Sequence, residues 1–491
     1  MRIKYFVEIF IVLVFCSLPL FLHIDSQTLR QWDEARNAVH TVEMLQDHNY
    51  LVRTFNGIPE TWEPKPPLLI WLQLASVKLF GLNELALRLP SVLAAFMTAI
   101  LLILYFARFL NSRFTGYIAA LILVTSQGYV DRHIARTGDH DALLILFSTA
   151  IILHFYQLII SDKPRPLQFL GLCFLFILGV FTKSVAALFI LPGLIISVFI
   201  FKAGKKVFFN KWFYLSFLIF ICVTGSYYVA REFIQPGYLN AVWHWELFPR
   251  YANTENNFDS GIFWYYAINF FKLRYTYWIW FLLTSVIMLP FLLRGPLKSF
   301  YWYIVLNTGL IFIVLSFGSK GLWYDGPLFP LFAIIISVFI ESVLNKLMDK
   351  VSNIQDWIIR WITVIILLAI MFIPYYAIIK KVTRTGEYPW DKEYFSMAYI
   401  LRDSIMLESL PDPLKVVFEG YDAHLLFYVK AVNYQKKSER LVSGNFSTIR
   451  TGDDIIISQQ QVMDSITARF NYRIIEEQEP VKVIRILEEK I

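Results

Sequence analysis

Long apolar runs separated by short polar breaks recur from the start of this chain to about residue 380. A helix needs roughly 20 apolar residues to cross a bilayer, and about eleven runs approach that length. They lie near 5–23, 88–110, 114–130, 141–160, 167–181, 185–201, 212–231, 275–293, 300–317, 327–344 and 358–379. The pattern predicts a polytopic α-helical membrane protein of about 11–13 transmembrane helices, its membrane domain occupying residues 1–380. Beyond that the periodicity changes. Charged residues return, and short β-type runs, KVVFEG at 415–420, DIIIS at 454–458 and VKVIRIL at 481–487, predict a small soluble α/β domain over 385–491.

Composition agrees with the bilayer as the main solvent: 57% of residues are apolar and 17% are charged. The net charge of +7 does not bring a Lys/Arg block interleaved with polar recognition residues, so nucleic acid is excluded as a partner. The three cysteines, Cys16, Cys173 and Cys222, lie inside apolar runs and form neither a metal-binding pair nor a disulfide framework. The first run has a basic start, Arg2 and Lys4, and lacks a small-residue cleavage site, which predicts a retained helix.

Charge then sets sidedness. With the N-terminus in the cytoplasm, every second loop is short and carries Lys or Arg: Arg108 and Arg113; Lys163 and Arg165; Lys202, Lys205, Lys206 and Lys211; Arg294 and Lys298; Lys346 and Lys350. The opposite connections are 24–87, 131–141, 182–184, 232–274 and 319–326, together with the tail. All the candidate chemistry therefore falls on the extracytoplasmic face.

The first of these connections opens with Asp33 and Glu34 in QWDEARNAVH. Ala35, Val39, Val42 and Leu45 follow at helical spacing, which predicts an amphipathic helix lying at the membrane surface. Acids in a first turn commonly cap a helix or complement its dipole. In WEPKPPLLIWL, Pro66 and Pro67 precede an apolar helix, and Lys65 is placed either to snorkel or to bind a phosphate at the headgroup level. Asp139, His140 and Asp141 cluster at the mouth of a span, where ionisable groups are expensive unless paired or functional, and a divalent ion is one use for them. His244, Glu246 and Arg250 sit among aromatics in AVWHWELFPRY, a mixture that suits a sugar or an anionic headgroup. Lys320 and Tyr324 share the last turn, SKGLWYDG.

In this order, WDEARNA, EPKPPLLIWL, FGLNELALRLPS, RTGDHDALLILF, HWELFPRY and the Lys-to-Tyr turn resemble the polytopic C-fold glycosyltransferases over residues 1–345. Within them the pattern is most similar to the bacterial aminoarabinose transferases that modify lipid A and to their protein O-mannosyltransferase relatives. The resemblance implies transfer of a sugar from a polyprenyl-phosphate carrier to a lipid, glycan or protein acceptor at the outer face of a bacterial-type inner membrane. It implies Asp33 as catalytic acid of the first loop with Glu34 as neighbour, and Asp141, ahead of Asp139, as the acid of the second. It implies Lys65, Arg250, Lys320 and Tyr324 at the donor phosphate and Glu246 in the same motif as Arg250; His244, Asp139 and His140 are substrate-binding candidates on their own residue chemistry.

Two positions depart from the family pattern. Pro64 separates Glu63 from Lys65 where relatives often have Glu directly before the lysine, and Leu247 stands where they often have His. A divalent metal held by Glu63, Glu246 and His244 therefore stays open. The rival reading is a transporter or flippase of a lipid-linked substrate, but transporters place ionisable groups near the bilayer midplane, whereas here they collect at the outer mouths.

Overall fold

The computed structural model describes residues 2–131, 133–247, 263–349 and 356–490. Every expected apolar run coincides with a helix: α1 (Arg2–Phe21), α4 (Glu84–Phe109), α5 (Arg113–Val124), α6 (Asp141–Ile160), α7 (Pro166–Lys183), α8 (Leu191–Ile200), α9 (Lys211–Ile234), α10 (Ile279–Leu292), α11 (Gly295–Phe317), α12 (Leu328–Asp349) and α13 (Asp356–Val382). The connection between α1 and α4 adds α2 (Asp33–Asp47) and α3 (Leu68–Phe80). Among the described residues seven helices are individually long and apolar enough to cross a membrane, and five further apolar helices are shorter.

The shortening has local causes. The run 114–130 breaks because the Thr125 and Ser126 hydroxyls donate to the carbonyls of Leu121 and Ile122, each at 2.7 Å, and end α5. The run 185–201 loses its first turn to a 3-10 segment, Ser184–Leu188, which Ser184 enters at φ 51°.

The chain divides into two compact units. The first comprises 1–22, 61–69 and 90–383 and holds the transmembrane helices. Its α12 is 72% buried over its apolar window and packs on α5, α10 and α11, whereas α9 is 17% buried and offers most of its apolar surface to lipid. Helices α4 and α5 approach closely at Gly116, where a Cβ would lie 3.0 Å from the Ile103 backbone. At the end of α1, the Arg136 guanidinium donates to the carbonyls of Pro19, Leu20 and Leu22 at 3.1, 2.9 and 2.7 Å, satisfying acceptors that a helix terminus leaves open.

The second unit comprises 23–60, 70–89 and 384–491. Its five-stranded sheet has β3 (Leu414–Val417), β4 (Leu441–Gly444), β5 (Asp454–Ile457), β6 (Phe470–Gln478) and β7 (Val481–Glu489) in the order β4-β3-β5-β7-β6; β1 (Thr54–Phe55) and β2 (Ile58–Pro59) form a separate hairpin. Strand β3 pairs parallel with β4 and β5, while β7 pairs antiparallel with β5 and β6. Helices α14 (Lys392–Arg402), α15 (Ala423–Lys436) and α16 (Gln460–Arg469) complete the tail. The apolar stripe of α2, Ala38, Val39, Val42 and Leu45, was expected to meet a membrane surface. It packs instead into one core with Ile70, Leu74, Leu87, Met397, Leu425 and Val483, because α15 and the sheet offer it a drier surface. The tail sheet thus shares its core with the connection between α1 and α4.

Candidate active site

In the first unit, helices α6 and α7 are joined by a short loop and run antiparallel, so the start of α6 meets the end of α7. Asp141 occupies the first turn of α6 and Lys183 the last turn of α7, each at the helix end whose dipole favours its charge. The Lys183 ammonium donates to both Asp141 carboxylate oxygens, at 2.7 and 2.8 Å, and both residues are buried. Lys183 also lies 5.1 Å from the centre of the Tyr324 ring. These three residues line an open cleft with Ser319 and the apolar side chains of Leu144, Phe189, Val314 and Leu315. One wall is charged and the rest is hydrocarbon.

The turn carrying Tyr324 is held rigidly. Arg274 grips Asp325 with two hydrogen bonds, Nε to Oδ2 at 2.7 Å and Nη2 to Oδ1 at 2.5 Å, with both side chains buried. Gly321 lets the Tyr324 ring lie against the backbone, since a Cβ there would come within 2.9 Å of it. Lys320 donates to the carbonyls of Leu315, Ser316 and Gly318 and so caps the C-terminal end of α11. Partial burial pulls its ammonium below the ordinary lysine value.

Asp139 and His140 are buried beside Asp141 but are engaged differently. The Asp139 carboxylate accepts from the Thr137 hydroxyl at 2.5 Å and lies 3.6 Å from His133 Nδ1, and its backbone carbonyl accepts from Ser91 at 2.8 Å. His133 stacks on Trp323 at 3.8 Å. Lys65 is ion-paired with Glu63 across the intervening Pro64, whose carbonyl accepts from the Tyr238 hydroxyl at 2.8 Å. Glu246 is buried, whereas His244, two residues away on the same turn, is exposed and edge-on to Trp245. Among the described residues Glu63, His244 and Glu246 do not form a three-ligand group, and Glu63 already neutralises Lys65, so this donor set does not fit the metal left open by the sequence. Arg250 lies outside the described residues.

In the second unit, Asp33 is the first residue of α2 and is partly exposed. Neither acid is the N-cap; that position belongs to Trp32, which makes no side-chain cap bond. Glu34 is 1% exposed and accepts from Arg88 Nε at 2.6 Å, from Arg88 Nη2 at 3.0 Å and from the Arg30 backbone N–H at 2.7 Å. Arg88 spends its remaining donors on the carbonyls of Ile24, Gln27 and Thr28 at 2.7, 2.8 and 2.9 Å. The adjacent acids therefore differ: one is accessible and the other is locked into a buried pair. A second buried carboxylate, Glu60, accepts from Arg36 Nε at 2.7 Å with His40 Nε2 3.4 Å away. Burial alone would raise its pKa, but His40, Arg36 and Arg53 outweigh that and hold it well below the usual carboxylate range.

Sequence reasoning did not single out Lys183, Arg274, Asp325 or Arg88 as partners. The available signal for Lys183 was the polar break TKS at 182–184 on the face expected to carry the other candidates; Arg88 lay in the stretch FGLNELALRLPS at the start of an apolar run, but nothing there tied it to Glu34.

The family model of dolichyl-phosphate-mannose-protein mannosyltransferase matches residues 64–228. An undecaprenyl phosphate-alpha-4-amino-4-deoxy-L-arabinose arabinosyl transferase of Shewanella sediminis is 25% identical over 348 residues, covering 70% of this chain and 56% of that protein. An uncharacterized protein of Aquifex aeolicus is 24% identical over 363 residues, covering 71% of this chain and 66% of its own length. The chain thus spans little more than half to two thirds of the length of these relatives. The crystal structure of ArnT from Cupriavidus metallidurans bound to undecaprenyl phosphate superposes with a TM-score of 0.74 at 13% identity, covering 98% of each chain. At that identity the likeness is one of fold.

Proposed function

We infer that this chain, a polytopic helical membrane protein with the fold of the C-fold glycosyltransferases and sequence likeness to their aminoarabinose-transferase and mannosyltransferase branch, transfers a sugar from a polyprenyl-phosphate donor to an acceptor hydroxyl. The observation that carries this reading is the cleft beside Asp141, Lys183 and Tyr324, whose single ion pair set in a hydrocarbon wall suits a lipid with one anionic group. The donor class follows that of the undecaprenyl-phosphate-dependent relatives. A transporter would be served by charges within the spans, and nothing in the comparisons favours one.

The acceptor oxygen attacks the anomeric carbon, the bond from that carbon to the phosphate oxygen breaks, and the polyprenyl phosphate leaves with the electron pair. Asp33, partly exposed, takes the acceptor proton, a step worth about 10²–10⁴-fold in rate. Lys65 and Lys183 are the cations that stabilise the departing phosphate, each exchanging part of its bond to Glu63 or Asp141 for the donor. Lys320 holds the end of α11 and acts by positioning Tyr324. Glu34 keeps Asp33 in place through Arg88.

An extracytoplasmic site follows from the charge bias of the loops. The makeup of the second unit agrees with the even count of ten spans expected after the first: segments before α4 and after α13 form one core and so share a face, and the charge bias alone assigns which face. The test is reconstitution of the purified full chain with synthetic polyprenyl-phosphate sugars, paired with mass spectrometry of lipids, glycans and secreted proteins from cells with and without the gene. One missing glycosyl mass supports the reading; unchanged spectra and no transfer in vesicles would sink it.

A further inference from the structure

Trp32 is built into the second unit in an unusual way. Its backbone sits at φ 74°, ψ −123°, a region that residues other than glycine seldom enter and that costs on the order of 1–3 kcal/mol. One face of its indole lies parallel to the Tyr421 ring, 4.5 Å away at 9°, yet 52% of the residue is exposed. Tyr421 is fixed in turn. Its carbonyl accepts from Gln31 Nε2 at 2.9 Å, its hydroxyl accepts from Arg36 Nη1 at 3.4 Å, and its ring stacks on Phe55 at 6.4 Å and 3°. The Arg36 guanidinium closes the far end, 4.2 Å over Phe55, and is itself held by Glu60. Three parallel rings backed by an anchored cation thus end in one open indole face, and the next residue along the chain is Asp33.

Such a ladder wastes apolar surface if nothing covers it, since a tryptophan gains more by burial than by display. A pyranose matches what is offered: its axial C–H groups form an apolar face that suits the electron-rich indole, and its rim hydroxyls suit a neighbouring carboxylate. We propose that the open face of Trp32 seats a pyranose ring and presents one of its hydroxyls, or its anomeric carbon, beside Asp33. This rests on the glycosyl-transfer reading and adds to it a carbohydrate subsite shared between the first outer connection and the tail, Tyr421 being the tail's contribution. The ring belongs either to a glycan acceptor or to the donor's glycosyl group.

The experiment uses the purified full chain in detergent micelles. Saturation-transfer NMR with methyl β-glucopyranoside and methyl β-glucosaminide reads binding without turnover, and steady-state transfer reads KM for donor and acceptor separately. Trp32→Phe should keep binding within a factor of about two, while Trp32→Ala and Tyr421→Ala should weaken it about tenfold. Because Trp32 is half exposed, Trp32→Ala should shift thermal unfolding only by the small contribution of its stack on Tyr421, and Tyr421→Phe, which keeps the ring, controls for any folding loss seen with Tyr421→Ala. A rise in acceptor KM alone assigns the ring to the acceptor, and a rise in donor KM alone assigns it to the donor. Wild-type glycoside binding in both alanine variants overturns the subsite even if transfer is intact, and so does a change confined to a peptide acceptor. Loss of all transfer in the unaltered chain would instead strike the function, since glycoside binding is read independently.

Discussion

Lys183 and Asp141 meet end to end across a helical hairpin, the ammonium bridging both carboxylate oxygens at 2.7 and 2.8 Å. Removing either partner leaves the other buried and uncompensated, which costs about 3–5 kcal/mol. Lys183→Met and Asp141→Asn should each lower the unfolding temperature, and the double variant should recover much of the loss. It should not recover transfer. A double-mutant cycle read by thermal unfolding and by initial rate checks this, and a double variant that transfers normally would remove the pair from the site.

Asp33 and Glu34 should separate cleanly by readout. Asp33→Asn keeps size and hydrogen bonding but removes the base, so kcat should fall about 10²–10⁴-fold with little change in unfolding temperature. Glu34→Gln strips the counter-charge from buried Arg88 and should cost stability by about 3–5 kcal/mol, with activity lost in proportion to folded protein. Equal effects on rate and stability for both variants would contradict the assignment.

The second unit carries a pH dependence of its own. Burial pulls the pKa of His424 down to about 4, with Nε2 bonded at 2.8 Å to the Tyr394 carbonyl. An unfolded histidine takes up its proton near 6.5, so as pH falls from 6.5 towards 4 the unfolded state gains protons that the native state refuses. Stability should fall through that window by about 3 kcal/mol at most and be fully present above it. Glu60 works at the acid end: its lowered pKa contributes stability present above the ordinary glutamate range and lost only as pH drops through its own, lower value. His424→Gln keeps a donor for Tyr394 and should flatten the profile between pH 6.5 and 4, as measured by unfolding midpoints.

Lys320 was expected at the donor phosphate, and its three carbonyl partners at the end of α11 recommend a different test. Lys320→Met should lower stability by about 1 kcal/mol and raise donor KM less than Lys65→Met does. Donor titrations on the two variants decide the order; a larger effect at Lys320 would return it to the phosphate.

Legibility in the sequence followed the range of the forces involved. The eleven apolar runs were readable because membrane burial acts on every residue of a span, and each met a helix. Strands β3, β5 and β7 were readable from their concentration of Val and Ile, whereas β4 is LVSG and mostly exposed at its centre and β6 is largely exposed, so neither stood out. Asp141 was legible as a charge at the mouth of a span, but Lys183, 42 positions on, was not assigned to it, because pairing depends on how two helices fold back rather than on spacing. The fate of α2 was hidden for the same reason: an amphipathic stripe states that a cover exists and not whether the cover is lipid or the tail sheet.

That shared core has a consequence for biosynthesis. The loop bearing Trp32 and Asp33 emerges from the ribosome early, but the strands and helices it packs on, and Tyr421 itself, are made only after every span has been inserted. The second unit is therefore completed last, through contacts of very long sequence separation, which form slowly. A chain ending before residue 384 would carry the Trp32 loop without the helices and strands that share its core, and the subsite proposed above would lack Tyr421.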